Sequence, residues 1–265
     1  MTHAPETLFG GFHARSSPRR MAKLFSLLVA AMVTVLSPGI SNAIIWNDVT
    51  DFSSSNPSGA WRYGQGTTGS TFTPYTVFSA ACNGQPGVAC WQPPVISFGV
   101  PLVGKNTTGS TLNFGTVVLP TDVLWVHPAA LDSIVQWTAP AAGVYNISGF
   151  FELLDITPTG VFVNLYDNST PVFANVLLLA PGANQTTSTP GQKFSFSNTL
   201  SLAAGDVLSF GVNNDGGGNF FFDSTGLAAT ITSVPEPTSL SLIAIGLAGF
   251  WSLRKRRKKV LMQNC

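Results

Sequence analysis

Few residues of this sequence could perform acid–base or nucleophilic chemistry. Residues 44–234 contain one histidine, His127, and one glutamate, Glu152. Ser-His-Asp hydrolysis needs a nucleophilic serine, which a Gly-x-Ser-x-Gly turn often presents, and the sequence has no such turn. Glycoside hydrolysis needs two carboxylates that face each other across a cleft. Asp132 and Asp155 could form such a pair, but nothing in the sequence singles them out. Phosphate loops, dinucleotide motifs and zinc spacings are also absent, so the sequence favours a protein that is not an enzyme.

Two cysteines are placed to form a disulfide. Cys82 and Cys90 enclose a short loop containing Gly84, Pro86 and Gly87, while Cys265 belongs to the C-terminal segment. In an oxidising compartment such a pair is predicted to be bonded, the alternative being two free thiols. In the chain-entropy account, a loop of this size stabilises the fold by roughly 2–3 kcal/mol.

The residues after Cys90 are candidates for saccharide binding. Trp91 and Gln92 precede Pro93 and Pro94, which predicts an indole held on a stiff loop with an amide beside it. Such a ring would lose little conformational entropy when a sugar stacks on it. We therefore expect Trp91 and Gln92 to form an exposed binding surface.

A group of oxygen-bearing side chains suggests a metal. Asp215, Asn219 and Asp223 surround three consecutive glycines, and calcium takes oxygen ligands of these types. One interpretation is a structural calcium site, with no other cofactor implied. The alternative is an ordinary hairpin turn, which uses the same residue types.

The charged residues are scarce and unevenly placed. Only 9% of the chain is charged, against an average of about 25%, which argues against a nucleic-acid-binding protein. Residues 44–234 hold three basic and ten acidic residues, and the other basic residues lie near the two ends. Each end must therefore be considered separately from the body.

The N-terminal segment has the three parts of a secretory signal peptide. Lys23 is followed by an apolar run over 24–36 and by small residues at Ser41 and Ala43. We predict a signal peptide over residues 1–43, with translation starting at Met1 or Met21, and cleavage after Ala43 by signal peptidase. The alternative is an uncleaved N-terminal anchor.

The C-terminal segment, residues 235–265, also has three parts. Pro235, Glu236 and Pro237 precede an apolar stretch over 240–253, predicted to be a single membrane helix. A basic run then holds that end on the cytoplasmic side; its members are Arg254, Lys255, Arg256, Arg257, Lys258 and Lys259. An ordinary membrane anchor is the alternative interpretation.

This segment resembles the PEP-CTERM sorting signal of bacteria that make exopolysaccharide. The resemblance covers residues 235–259. Residues 260–265 extend beyond the point where the tails of this family usually end. It implies that exosortase, a membrane-embedded protease, recognises the tail and removes it. The protein would be anchored transiently in the inner membrane and then reach the cell surface or extracellular matrix.

The body, residues 44–234, has the pattern of an all-β domain. Short apolar runs alternate with Gly, Pro, Ser, Thr and Asn, which predicts strands that include 95–100, 111–119, 143–153, 207–212 and 220–224. Turn residues at 139–143 and 203–206 predict two hairpins. Along the third of these strands, Val144 and Asn146 should share one face, and Tyr145 and Ile147 the other.

Several motifs in the body resemble an extracellular β-sandwich family common among such surface proteins. They are Asn-Pro-x-Gly-x-Trp-x-Tyr-Gly at 56–64, His-Pro at 127–128 and Trp-Thr-Ala-Pro at 137–140. The resemblance spans most of residues 48–232 and implies a jelly-roll fold similar to galactose-binding-like and carbohydrate-binding modules. It implies no particular ligand, and Gln136 replaces a residue that is usually basic.

Two functions follow from these features. The first is a non-enzymatic surface or biofilm-matrix protein in which the sandwich is a structural unit. The second is a carbohydrate-binding module that attaches to exopolysaccharide, with or without calcium.

Overall fold

A computed structural model describes residues 42–179, 191–214 and 219–235, together with Gly246, Gly249 and Phe250, which are helical. The chain divides into two units, and the body is the unit Asn42–Pro235. Its described residues form one single-turn 3-10 helix, Cys82–Gly84, and sixteen strands. The strands are β1 (Ile45–Asn47), β2 (Trp61–Thr67), β3 (Thr71–Pro74), β4 (Val77–Ser79), β5 (Val88–Gln92), β6 (Leu102–Asn106), β7 (Leu112–Phe114), β8 (Val117–Leu119), β9 (Leu124–His127), β10 (Asp132–Thr138), β11 (Gly143–Leu153), β12 (Val161–Asp167), β13 (Thr170–Leu178), β14 (Lys193–Leu202), β15 (Val207–Asn213) and β16 (Thr225–Val234).

Two antiparallel sheets contain most of these strands. The eight-stranded sheet has the order β14-β11-β16-β9-β6-β5-β4, and β1 pairs with β16 on the same side as β9. The six-stranded sheet has the order β13-β12-β15-β10-β2-β3, and β7 with β8 forms a separate ribbon. The predicted all-β sandwich is confirmed.

The connections between the strands are those of a jelly roll. From β9 to β12, and again from β13 to β16, successive strands alternate between the two sheets. The predicted hairpins at 139–143 and 203–206 are therefore wrong, because each segment crosses from one sheet to the other. These crossings bring aromatic rings of both sheets together in the interior. The Trp137 ring centroid lies 5.2 Å from that of Tyr145 and 5.3 Å from that of Trp46.

The core lies between the two sheets and follows the period of two expected of strands. On β11, Tyr145 and Ile147 are buried while Val144 and Asn146 are exposed, as predicted. From the opposite sheet, Trp61, Tyr63 and Trp137 point inward and are fully buried. Burying a large apolar side chain contributes about 1.5–3 kcal/mol, so this layer is the main source of stability.

A smaller apolar cluster covers the other face of the eight-stranded sheet. Trp125 on β9 packs against Phe114 on β7, with ring centroids 5.4 Å apart. Leu102, Leu119 and the disulfide cysteines belong to the same cluster. The β7–β8 ribbon thus shields part of this sheet face from water.

The body begins and ends side by side. The Ile44 amide donates to the Ser233 hydroxyl at 2.8 Å, and the Ser233 amide donates to the Ile44 carbonyl at 2.9 Å. Strand β1 then pairs with β16 from Ile45 to Asn47. The chain therefore enters and leaves the sandwich at the same place.

Asp48 continues the hydrogen-bonding ladder where β1 ends. Its amide donates to the Ala229 carbonyl, and its Oδ1 accepts from the Ala229 amide at 2.9 Å. The carboxyl is fully buried, and this burial raises the pKa of Asp48 well above its usual range. The nearby Asp51 charge acts in the same direction.

We expect Asp48→Asn to change how stability depends on pH. The folded protein holds the Asp48 proton more tightly than the unfolded chain, so its contribution to stability is present at acid pH and lost as pH rises through the raised pKa. Asparagine retains an oxygen for the Ala229 amide but carries no charge. The difference in free energy of unfolding, variant minus wild type, should become more positive as the pH rises above about 4, the ordinary pKa of an aspartate. Denaturant titrations at several pH values measure this difference, and a flat difference would contradict the burial argument.

Candidate functional site

A row of polar side chains crosses the outer face of the six-stranded sheet. Arg62 on β2 lies opposite Gln136 on β10, which lies opposite Ser209 on β15. The flanking Trp61 and Trp137 point into the core, so the polar row points outward. The Gln136 amide nitrogen donates to the Ser209 hydroxyl at 3.1 Å, which fixes the centre of the row.

The turn between β2 and β3 folds over this sheet face. The Thr68 amide and hydroxyl both donate to the Asp132 carboxylate, at 2.8 and 2.6 Å. Thr68 also lies directly over Gly211 on β15, where a Cβ atom would come within 1.8 Å of the Thr68 hydroxyl oxygen. Next to it, Gly69 lies against the Tyr166 ring. Glycine at 211 therefore allows the turn to approach the sheet.

An aromatic ring stands beside the polar row. The Phe72 ring on β3 covers Gly64, where a Cβ atom would meet it at 2.7 Å. The Arg62 guanidinium lies 5.8 Å from the ring centroid, within the range of a cation–π contact. The ring and the polar row thus form adjoining sides of one depression.

Together these features form a cleft of about 470 Å³. This volume falls within the range of about 300–1,000 Å³ typical of small-molecule sites. The described residues that line the cleft are Arg62, Gly69, Ser70, Thr71, Phe72, Gln136, Asn168, Ser169, Val207 and Ser209. We refer to it as the outer-face cleft. Its lining combines one cation, amides, hydroxyls and one aromatic ring.

Two carboxylates lie at the Asn168 end of the outer-face cleft. The Asn168 amide nitrogen donates to Asp167 at 3.2 Å and to Asp206 at 3.1 Å. Partial burial raises the pKa of Asp167, and the Asp206 charge raises it further. Neither carboxylate belongs to the described lining, so the Asn168 amide stands between them and the cleft.

Trp91 and Gln92 do not form the exposed surface predicted for them. Trp91 lies within β5 and is only 7% exposed; its ring packs against Phe78 and its Nε1 donates to the Ser53 carbonyl at 2.9 Å. Gln92 is buried, and its amide nitrogen donates to the Gly99 carbonyl at 2.8 Å. The prediction is wrong because β4 and β6 pair on both sides of β5, which turns the supposed loop into a covered strand.

The predicted disulfide is confirmed. Cys82 and Cys90 are bonded, and both are fully buried. They join the 3-10 helix to β5, at the edge of the smaller apolar cluster. The bond thus secures the loop that precedes Trp91.

The predicted calcium ligands are partly outside the described residues. Asp215 lies in the stretch 215–218, which the structure does not describe. Asn219 is exposed, and its side-chain oxygen accepts from the Phe221 amide at 3.0 Å. Asp223 is buried, and its Oδ1 accepts from the Thr159 hydroxyl at 2.6 Å. Among the described residues no three acidic, histidine or cysteine side chains are grouped to hold a metal, and the calcium site stays a prediction.

The remaining candidates for chemistry have structural surroundings. His127 is buried with its Nδ1 2.8 Å from the Pro128 carbonyl, and burial lowers the pKa of its imidazole. Glu152 forms an ion pair with Lys193 at 3.0 Å, while burial raises the pKa of this carboxyl. Neither residue is part of the described cleft lining.

Much of the sorting segment lies outside the described residues. Pro235 is described, whereas Glu236, Pro237 and the basic run 254–259 are not. Of the predicted membrane helix over 240–253, three residues are described, and residues 1–41 of the predicted signal peptide are not. A search of the described part of the chain finds no helix with the length and apolar character to span a membrane.

Sequence reasoning missed the outer-face cleft. The Trp-Arg-Tyr-Gly motif at 61–64 contains one of its residues, and its alternation of large apolar and polar residues could have indicated an outward-facing Arg62. The neighbours Gln136 and Ser209 come from distant strands, so their proximity depends on sheet register. Fold and site together describe a jelly-roll sandwich with a polar, aromatic-sided cleft on one sheet.

Comparison with known sequences identifies the tail. The PEP-CTERM protein-sorting motif matches residues 233–257, which confirms the resemblance of the C-terminal segment. The motif indicates an exported protein that exosortase sorts by way of a transient membrane anchor. No curated protein sequence matches the chain.

Solved structures similar to the chain include several carbohydrate-binding modules. One is CBM51 from Clostridium perfringens GH95 in complex with methyl-galactose, with 12% identity, a TM-score of 0.35, and coverage of 72% of this chain and 100% of that one. A family 35 carbohydrate binding module from Clostridium thermocellum has 16% identity, a TM-score of 0.30, and coverage of 47% and 86%. CBM35 from Paenibacillus barcinonensis has 14% identity, a TM-score of 0.27, and coverage of 61% and 100%. TM-scores this low do not define a family for the sandwich.

Proposed function

We propose that this protein is a non-enzymatic surface protein that binds saccharides of an exopolysaccharide matrix through the outer-face cleft. The observation that carries the proposal is the row of Arg62, Gln136 and Ser209 beside the Phe72 ring. The PEP-CTERM tail directs the protein to the cell surface, and the cleft binds it to the matrix.

The cleft lining suits a ligand with many hydroxyl groups. An amide and a hydroxyl each offer both a donor and an acceptor, and a guanidinium offers five donors. Sugar hydroxyls need partners of both kinds when they leave water, because an unpaired buried polar group costs about 1–3 kcal/mol. The apolar face of a sugar ring can lie against Phe72, as expected of an aromatic side chain in a mixed pocket.

A binding role fits the lining better than catalysis. The described lining includes serine hydroxyls but no histidine or carboxylate that could take a proton from them, and a serine needs such a base to act as a nucleophile. Asp132 is held by Thr68, and the Asp155 carboxylate accepts from the Ser224 amide at 2.8 Å. These carboxylates support the body's loops.

Delivery is part of the same proposal. Signal peptidase removes residues 1–43, exosortase removes the tail near Pro235, Glu236 and Pro237, and the body reaches the surface or the extracellular matrix. Intact-mass analysis of the protein isolated from cells with active exosortase tests this step. A product that still carries Arg254 to Lys259 would contradict it.

Binding to exopolysaccharide from the same cells tests the function of the cleft. We expect Phe72→Ala and Gln136→Ala each to weaken binding by about tenfold, because each removes a contact worth about 1–1.5 kcal/mol. Asn146→Ala is the matched control, since Asn146 is an exposed polar residue on the eight-stranded sheet. Equal binding by all three variants would exclude the cleft, and a matrix protein that binds no saccharide would favour the purely structural role.

A further inference from the structure

Arg62 differs from the other cations of the body. Residues 44–234 hold three basic residues against ten acidic ones. Lys193 pairs with Glu152, and the Lys105 ammonium donates to the Val49 carbonyl at 2.6 Å. Arg62 forms no ion pair with any carboxylate of residues 42–179, 191–214 or 219–235. Lys105 also has no carboxylate partner among the described residues, but its ammonium forms a short hydrogen bond with the Val49 carbonyl. Arg62 lies in the cleft lining, and its one side-chain hydrogen bond within the described part of the chain is long.

The contacts of Arg62 leave most of its donors available to a ligand. Its side chain is half-buried, and its Nη2 donates to the Thr138 hydroxyl at 3.4 Å, a long hydrogen bond. The Phe72 ring holds the guanidinium in place without using an N–H group. A guanidinium has five N–H donors arranged to meet a carboxylate with two parallel hydrogen bonds.

We propose that the ligand of the outer-face cleft is an acidic saccharide whose uronic acid carboxylate pairs with Arg62. This inference rests on the proposed saccharide-binding function and specifies its ligand class. The sugar ring carrying the carboxylate lies against Phe72, and hydroxyls of that ring or its neighbour bond the amide of Gln136, which the buried Ser209 hydroxyl holds in place. Such a charge-assisted pair is stronger than a neutral hydrogen bond, and it selects for charge.

The carboxylates at the Asn168 end determine the orientation of the ligand in the cleft. Arg62 on β2 and Asp167 on β12 are separated by three strand spacings, which corresponds to about 14 Å. This exceeds the screening length of about 8 Å at physiological salt, so repulsion by Asp167 and Asp206 acts mainly at their own end. The acidic group therefore occupies the Arg62 end, and uncharged hydroxyls occupy the Asn168 end.

Calorimetry with matched oligosaccharides tests the inference on the full chain in a mild detergent. The probes are hexasaccharides of galacturonate and of glucuronate, each compared with the same compound after reduction of its carboxylates to neutral alcohols. We expect at least one acidic probe to bind about tenfold or more tighter than its neutral counterpart, because a charge-assisted hydrogen bond is roughly twice as strong as a neutral one. Added salt should weaken the binding of the acidic probe and leave the binding of the neutral probe unchanged.

Substitutions of Arg62 provide the decisive comparison. Arg62→Gln should remove the preference, so that the acidic and neutral probes bind with similar affinity. Arg62→Lys should keep part of the preference because it retains charge without the two-pronged geometry. Lys105→Gln removes one positive charge at a position outside the cleft, so this variant should keep the preference for the acidic probe. Equal affinity for acidic and neutral probes, or an equal loss of both in Arg62→Gln, overturns the acidic-ligand inference alone. Binding of neither kind of probe overturns the saccharide-binding function as well.

Discussion

Trp91→Ala should lower the free energy of unfolding by about 3–5 kcal/mol, the usual cost of truncating a buried tryptophan. The indole is 7% exposed, its centroid lies 5.2 Å from that of Phe78, and its N–H bonds the Ser53 carbonyl. Truncation would leave a cavity within the main core and remove that hydrogen bond. Denaturant unfolding followed by circular dichroism measures the loss.

Phe98→Ala is the matched control for this substitution. Phe98 is 79% exposed and contacts Phe221 at a centroid distance of 5.3 Å. Its truncation should cost about 1 kcal/mol or less, the worth of an exposed aromatic pair. A Trp91→Ala protein as stable as the Phe98→Ala protein would mean that Trp91 is not a core residue.

Gly211→Ala should abolish most saccharide binding through the outer-face cleft. The new Cβ would lie 1.8 Å from the Thr68 hydroxyl oxygen and 2.7 Å from the Thr68 Cβ, so the β2–β3 turn must move away from the sheet. That movement displaces Ser70 and Thr71 from the lining. We expect a loss of affinity of at least about tenfold and, from overpacking, a loss of about 1–3 kcal/mol in stability.

The control for this substitution is Gly143, the first residue of β11. At Gly143 an added Cβ would meet only a Tyr145 ring atom, at 3.8 Å, so Gly143→Ala should leave the cleft intact. Binding titrations and thermal midpoints of the two variants should be measured together. If Gly211→Ala binds exopolysaccharide as well as Gly143→Ala does, the turn is not part of the binding surface.

Local patterns were sufficient to predict individual strands where one face is buried. The alternation from Val144 to Ile147 predicted a strand within β11, and the observed bounds Gly143–Leu153 agree with the prediction. The stretch 111–119 was predicted as one strand but is divided by Gly115, which has a φ of 59° and turns the chain between β7 and β8. The apolar stretches 95–100 and 220–224 are loops with exposed Val95, Phe98 and Phe221, since apolar composition alone does not provide a strand with a partner.

The pairing of strands depends on information that local sequence does not contain. Turn residues such as those at 203–206 suit a hairpin and a crossing between sheets equally well, because both reverse the chain over a few residues. What decides between them is which neighbour buries the apolar face. The same limit explains Trp91, whose β4 and β6 partners lie outside its own segment, and the cleft, whose Arg62, Gln136 and Ser209 meet only in the assembled sheet.

The shared exit of the two chain ends has a mechanical consequence. If the body is tethered near Val234, tension enters through β16, which pairs with β11 along its whole length and with β1 and β9 on its other side. Antiparallel hydrogen bonds run perpendicular to the strands, so a pull along β16 loads many of them at the same time. The strand next to the tether is therefore the one best suited to resist shear, and the aromatic loop containing Phe221 at its far end would face away from the point of attachment.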